Sequence, residues 1–168
     1  MEQQGVVLYG MMGSGKSELG VGVAKHFDWD FLDTDRLIEG AWGMTCKQLL
    51  DQGSFEYAQE SSILRYGTVD PTVIATGGSV AMYPDLVSHL GQFGTGIFIQ
   101  PTAAELRRRL SPERIAALNN PKNLSFEELY AERSERYRRA ASFTLEITDR
   151  ETPEQSLPRL ITLVENLQ

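Results

Sequence analysis

Gly10-Met11-Met12-Gly13-Ser14-Gly15-Lys16-Ser17 fits, without mismatch, the pattern of a glycine, four residues, then Gly-Lys-Ser/Thr. Its flanks fit as well. Gly5-Val6-Val7-Leu8-Tyr9 reads as a short buried strand, and Ser17 to Lys25 can continue as a helix. Glycines are needed here because the backbone must wrap a polyphosphate closely and aim its N–H groups inward. Lys16 then supplies charge to the β- and γ-phosphates, and the Ser17 hydroxyl is placed to ligate Mg²⁺. The end charge of the following helix favours the same anion. The motif makes Gly13, Ser14, Gly15, Lys16 and Ser17 candidate ATP-binding residues, with Lys16 also a catalytic candidate.

Working outward, 168 residues bound the chain to one domain with a sizeable core. The formal net charge of -7 argues against general nucleic-acid or anionic-membrane binding, so positive charge at an ATP site must come from Lys16 and local arginines. One cysteine, Cys46, excludes an internal disulfide and a cysteine-based metal cluster. Met1-Glu2-Gln3-Gln4 is polar and carries no signal-peptide pattern, and no apolar run reaches membrane-spanning length. A cytoplasmic monomer, without nucleic-acid or membrane partners, is the expectation.

Further strands are predicted at Trp29-Asp30-Phe31-Leu32, Thr72-Val73-Ile74-Ala75, Gly96-Ile97-Phe98-Ile99 and Phe143-Thr144-Leu145-Glu146-Ile147. Short helices are expected over Thr45–Leu50, Phe55–Leu64 and Pro84–Leu90. Capping boxes open three more, at Thr102 with Glu105, Ser125 with Glu128, and Thr152 with Gln155. Ser111 to Asn123 is polar, carries two prolines and reads as a mobile loop. Five strands separated by helices imply an α/β fold, a three-layer α/β/α sandwich around a parallel sheet. Ligands in such folds bind beyond the carboxyl ends of the strands. Three strands end there in candidate residues: the phosphate loop, Asp33-Thr34-Asp35, and Gly77-Gly78-Ser79.

On an extended segment residues two apart point the same way, so Asp33 and Asp35 can both face the phosphate loop. One can hold Mg²⁺ while the other accepts a hydrogen bond, and then a proton, from an acceptor hydroxyl. Gly77-Gly78 permits close approach of backbone to a ligand. Arg114, in the polar segment, can fold over the phosphates, where its charge counts most in the transition state. Of Arg133, Arg136, Arg138 and Arg139, on one helix, most are expected in solvent. Cys46 reads as a small buried residue rather than a nucleophile.

These residues resemble the shikimate kinase family, small phosphate-loop enzymes related to the nucleoside monophosphate kinases. The likeness runs from Gly10 to the final helix. It includes Asp33-Thr34-Asp35, Ala75-Thr76-Gly77-Gly78, Arg114, and Glu132-Arg133-x-x-x-Tyr137-x-x-x-Ala141. The resemblance implies the strand order 2-3-1-4-5, an acceptor-binding region at about 33–66, and a lid at about 111–121. It implies transfer of the ATP γ-phosphoryl to the 3-hydroxyl of shikimate, with Mg²⁺. By position, Asp33 supports Mg²⁺ and Asp35 binds and poises the acceptor hydroxyl. Gly77 and Gly78 line the acceptor, Arg133 pairs with its carboxylate, and Arg114 is the lid arginine. Arg108 or Arg109, with the loop at Asp149–Thr152, borders adenine.

Three positions depart from the family pattern. The arginine of the family's Phe-Arg pair is absent from Gly53-Ser54-Phe55-Glu56-Tyr57-Ala58: aligned on Phe55 its place holds Glu56, and aligned without gaps from Gly53 it holds Ala58. Gly-Gly-Gly becomes Gly77-Gly78-Ser79, and Arg-Pro-Leu-Leu becomes Arg114-Ile115-Ala116-Ala117. A kinase of the same fold with another hydroxyl acceptor, and a nucleotide-binding regulator without catalysis, are the alternative functions. Retention of Lys16, Ser17, Asp33, Asp35 and Arg114 speaks against the regulator.

Overall fold

In the computed structural model, β1 (Gly5–Tyr9) is buried along its whole length and alternates its side chains between two cores. Val7 and Tyr9 enter one cluster with Ile74, Phe98 and Tyr137, and Val6 and Leu8 enter the other with Val73, Ile97 and Leu160. Apolar residues on both faces of a strand demand cover on both sides, which only helices can supply to a parallel sheet. The structure describes residues 5–168, and the polar stretch Met1–Gln4 lies outside them.

The other strands are β2 (Asp30–Asp33), β3 (Thr72–Ala75), β4 (Gly94–Pro101) and β5 (Phe143–Ile147). All pairings are parallel, in the order β2-β3-β1-β4-β5, as expected. The helix α1 (Lys16–Phe27) packs with α9 (Pro153–Glu165) under one face. Between them in sequence lie α2 (Thr34–Trp42), α3 (Cys46–Asp51), α4 (Phe55–Leu64), α5 (Pro84–Leu90), α6 (Ala103–Arg109), α7 (Pro112–Ala116) and α8 (Phe126–Ala140). A small third cluster, Ile38, Leu49, Phe55 and Ala58, joins α2, α3 and α4 to one another.

Two expectations need correction. Ser111–Asn123 is not wholly loop: Ser111 caps α7 by accepting from the Arg114 N–H, and Pro112 occupies its first turn. The Ser-Pro start carried that signal in the sequence. The box at Thr102 is only half made. Thr102 accepts from the Glu105 N–H, while the Glu105 carboxylate turns away into a buried ion-pair cluster. The box at Ser125 is complete, and at Thr152 the Gln155 side chain accepts from the Thr152 N–H. No described helix is long and apolar enough to cross a membrane.

Candidate active site

Gly15 closes the phosphate loop at φ 89°, a left-handed conformation that favours glycine, and so lets α1 begin at Lys16 directly beneath the ligand space. Lys16 is 8% exposed, and its Nζ donates to the Met11 carbonyl at 3.2 Å. Burial pulls its pKa down to about 8, opposed by the carboxylates of Asp35 and Asp33. The ammonium is thus dry, close to two acids and short of partners, a state that an incoming phosphate would relieve.

The Ser17 hydroxyl donates to Asp33 Oδ2 at 2.8 Å. The other Asp33 oxygen caps α2, accepting from the N–H groups of Asp35 at 3.0 Å and Arg36 at 3.4 Å. One carboxylate oxygen therefore fixes the chain while the other faces the loop. Among the described residues no group of three or more His, Cys, Asp or Glu is assembled for a metal. A hydroxyl and one carboxylate suit Mg²⁺, which takes most of its ligands from water and phosphate oxygens. The donor set fits the ion.

Asp35 is half-buried at the start of α2, and burial raises its pKa, with Asp33 adding to the rise and Lys16 opposing it. A Cβ at Gly77 would come within 2.4 Å of Asp35 Oδ1, so any larger residue there would displace the carboxylate. The Gly77 N–H donates to Thr34 Oγ1 at 2.8 Å, which ties this turn to the start of α2. Gly78 is held differently: its carbonyl accepts from the Tyr137 hydroxyl at 2.5 Å, and a Cβ on it would stand 3.3 Å from Arg133 Nη1. Arg133 is 5% exposed and is the buried one of its four helix arginines, the other three lying in solvent. Its Nη2 donates to the Asn119 carbonyl.

A cavity of about 460 Å³ brings together Gly13, Gly15, Lys16, Ser17, Asp33, Asp35, Gly78, Arg114 and Arg133. Three candidates lie outside its lining. Ser14 is buried with a hydroxyl that has no partner, Gly77 sits behind Asp35, and Arg109 stands on the far side of the phosphate loop, bonded to the Gly13 carbonyl at 3.2 Å. Cys46 lines the cavity, half-buried rather than wholly so, its thiol bonded to the Asp35 carbonyl at 3.8 Å and pushed up to about 12 chiefly by burial. Such a thiol is not a nucleophile.

The sequence reading gave no role to several residues that hold the site. Thr34 positions Gly77, and Tyr137 positions Gly78. Gln59 accepts from the Ser79 hydroxyl at 2.9 Å, while its buried amide nitrogen has no partner. The spacing from Arg133 to Tyr137, one helical turn, was the available signal for the second. Nothing local pointed to Thr34 or Gln59.

A phosphate loop at the end of a central parallel strand, a serine–aspartate pair against it, and a second carboxylate and a buried arginine across one cavity define a phosphate-loop kinase. The family model described as shikimate kinase matches residues 12–165, and the chain belongs to the shikimate kinase family. It is 29% identical to a shikimate kinase of Caldanaerobacter subterraneus subsp. tengcongensis, over 86% of this chain and 87% of that one. A shikimate kinase of Paracidovorax citrulli is 30% identical, over 85% and 82% respectively. The fold matches that of shikimate kinase from Acinetobacter baumannii in complex with shikimate, with a TM-score of 0.82 at 22% identity, over 97% of this chain and 94% of that one.

Proposed function

We propose that the protein transfers the γ-phosphoryl group of ATP to the 3-hydroxyl of shikimate. The observation that carries this is one cavity lined at the same time by Lys16, Asp33, Asp35 and Arg133. Lys16 and the phosphate loop hold the β- and γ-phosphates. Ser17 and Asp33 hold Mg²⁺, which when bound neutralises charge on the phosphate oxygens. Asp35 accepts the proton of the attacking hydroxyl. The new bond forms between that oxygen and the γ-phosphorus, the bond from γ-phosphorus to the bridging oxygen breaks, and ADP leaves. A raised Asp35 pKa brings it closer to that of a proton acceptor working near neutrality.

Arg133 pairs with the acceptor carboxylate, and the backbone of Gly77-Gly78 borders the ring. Arg114, exposed on α7 and lining the cavity, adds charge at the phosphates in the transition state. Arg109 rather than the more exposed Arg108 borders adenine, since it alone of the two bonds the phosphate loop. The whole chain acts as one domain, with the acceptor region at about 33–66 and the lid at about 111–121. A monomer in the cytoplasm fits this reading.

A second acceptor class is favoured by one observation. Glu56 is exposed and its carboxylate meets the Tyr83 hydroxyl, whose pKa burial and Glu56 together push up to about 12. In the register that sets Glu56 where the family supplies an arginine, an acid there favours a less anionic hydroxyl acceptor. ADP release measured across shikimate, hydroxylated acids and neutral polyols separates the two. Shikimate as the best acceptor supports the first reading, and a neutral polyol preferred to it supports the second.

A further inference from the structure

Glu105, in the first turn of α6, is 2% exposed, and an ionised carboxylate so buried costs free energy unless it is fully paired. Its partners come from two directions. From its own helix, Arg108 donates through Nε at 2.9 Å and Nη2 at 2.7 Å, and Arg109 donates through Nε at 2.7 Å. From the loop after β5, the Arg150 N–H donates at 3.0 Å. Arg108 above all, then the Arg150 N–H and Arg109, hold the carboxyl down to about 2 against the effect of burial. The group is ionised at any working pH.

What this anion orders is Arg109. With Nε fixed on Glu105, the guanidinium plane is set, and its two ends reach different segments. Nη1 donates to the Gly13 carbonyl at 3.2 Å, and Nη2 donates to the Glu151 carbonyl at 2.8 Å. The second segment is itself stiff, because the Glu151 carboxylate accepts from the Thr148 N–H at 2.8 Å, Ser156 at 2.9 Å and Arg159 at 2.7 Å. The phosphate loop and the 148–152 loop are thus joined through one planar side chain, whose orientation is set by a carboxylate that also holds the Arg150 N–H of the second loop. Glu105 forgoes the reciprocal half of its capping box to serve this cluster.

We infer that Glu105 is a positioning residue for the nucleotide, acting through Arg109 to build the base end of the site between the phosphate loop and the 148–152 loop. This rests on the reading of ATP as phosphoryl donor. A guanidinium whose edge is fully engaged still offers its flat face, the surface against which a purine stacks. Loss of the Glu105 charge leaves Arg109 free to rotate, and the base loses that surface while the phosphates keep theirs.

Calorimetric titration of the full chain with ADP, and separately with inorganic pyrophosphate, tests this without any acceptor, so it stands whatever the acceptor proves to be. Glu105→Gln is expected to weaken ADP about tenfold, the size of one charge-assisted hydrogen bond, and to change pyrophosphate affinity by less than about twofold. In an Arg109→Ala background the same substitution is expected to add less than about twofold for ADP, because glutamine keeps an oxygen for the Arg150 N–H while the route through Arg109 is gone. Glu105→Asp, which keeps the charge but shortens the reach, is expected to weaken ADP similarly and serves if the glutamine variant does not fold. A folded variant that loses thermal stability yet binds ADP as the wild type does would overturn the inference. So would an equal loss for pyrophosphate, or a full tenfold loss in the Arg109→Ala background.

Discussion

The Ser17 hydroxyl donates to Oδ2 of Asp33 over 2.8 Å, joining the start of α1 to the end of β2 across the mouth of the phosphate loop. Asp33 uses its second oxygen to cap α2, so its electrostatic and structural duties fall on different atoms. They can therefore be separated by substitution. Asp33→Asn retains an oxygen able to cap and is expected to keep its melting temperature while losing about 100-fold in kcat/KM and needing more Mg²⁺. Asp33→Ala loses both and is expected to cost about 1 kcal/mol of stability in addition. Mg²⁺ titration of the rate, alongside thermal melts, checks both. Unchanged Mg²⁺ dependence in Asp33→Asn would remove the aspartate from the metal site.

Asp35 carries the opposite balance. Burial, with Asp33 beside it, raises its pKa in the folded chain, so the native state favours the protonated carboxyl. The contribution to stability is then present at low pH and is lost as pH rises through the folded pKa. At neutral pH the ionised group opposes folding, and Asp35→Asn is expected to melt higher than the wild type while turnover falls below detection. The acid limb of the wild-type rate profile should lie above the usual carboxylate range near 4. A melt at or below the wild-type temperature at pH 7 would contradict this.

The sheet was legible in the sequence because its signals are local. Val6 to Tyr9 is continuously apolar, and the glycine pattern that follows admits few other geometries. The pairing of Asp33 with the phosphate loop was legible from its strand-end position, but the expected strand alternation does not place Asp35, because α2 begins at Thr34 and carries Asp35 in its first turn. Glu105 was not. Its place three residues after Thr102 matches a capping box, and only the tertiary arrival of Arg150 from the loop after β5, 45 residues away, shows that the carboxylate is needed elsewhere. The same limit applies to Thr34 and Gln59, whose partners Gly77 and Ser79 are brought to them by the sheet and not by sequence distance.

The missing arginine can be restored at only one position. Ala58 is 0% exposed against Ile38, Leu49 and Phe55, so Ala58→Arg forces a charge into that cluster and is expected to destabilise the chain by about 3 kcal/mol. Glu56 is exposed and adjoins Tyr83, which lines a neighbouring cavity of about 220 Å³ shared with Arg133. Glu56→Arg is expected to fold normally and to lower the KM for shikimate about tenfold. Arg133→Ala should raise it by at least as much. Steady-state kinetics with saturating ATP read both. An unchanged KM in Arg133→Ala would detach that residue from the acceptor.

Arg114 projects from α7 into the cavity, and the neighbouring Asn119 carbonyl is already bonded to Arg133. Residues 111–121 are therefore expected to exchange amide hydrogens more slowly once an ATP analogue and acceptor are bound. Arg114→Ala is expected to lower kcat about 100-fold with little change in acceptor KM, as suits a charge used in the transition state. Equal exchange in the two states would remove the lid, and an unaffected kcat would remove the arginine from catalysis.

The most direct test follows the transferred group itself. Purified protein with ATP, Mg²⁺ and shikimate is expected to give one ADP per phosphate ester, with the phosphorus coupled in the NMR spectrum to the proton on carbon 3 of the ring. ADP release that does not depend on shikimate, or a phosphate found on another hydroxyl, would contradict the assignment.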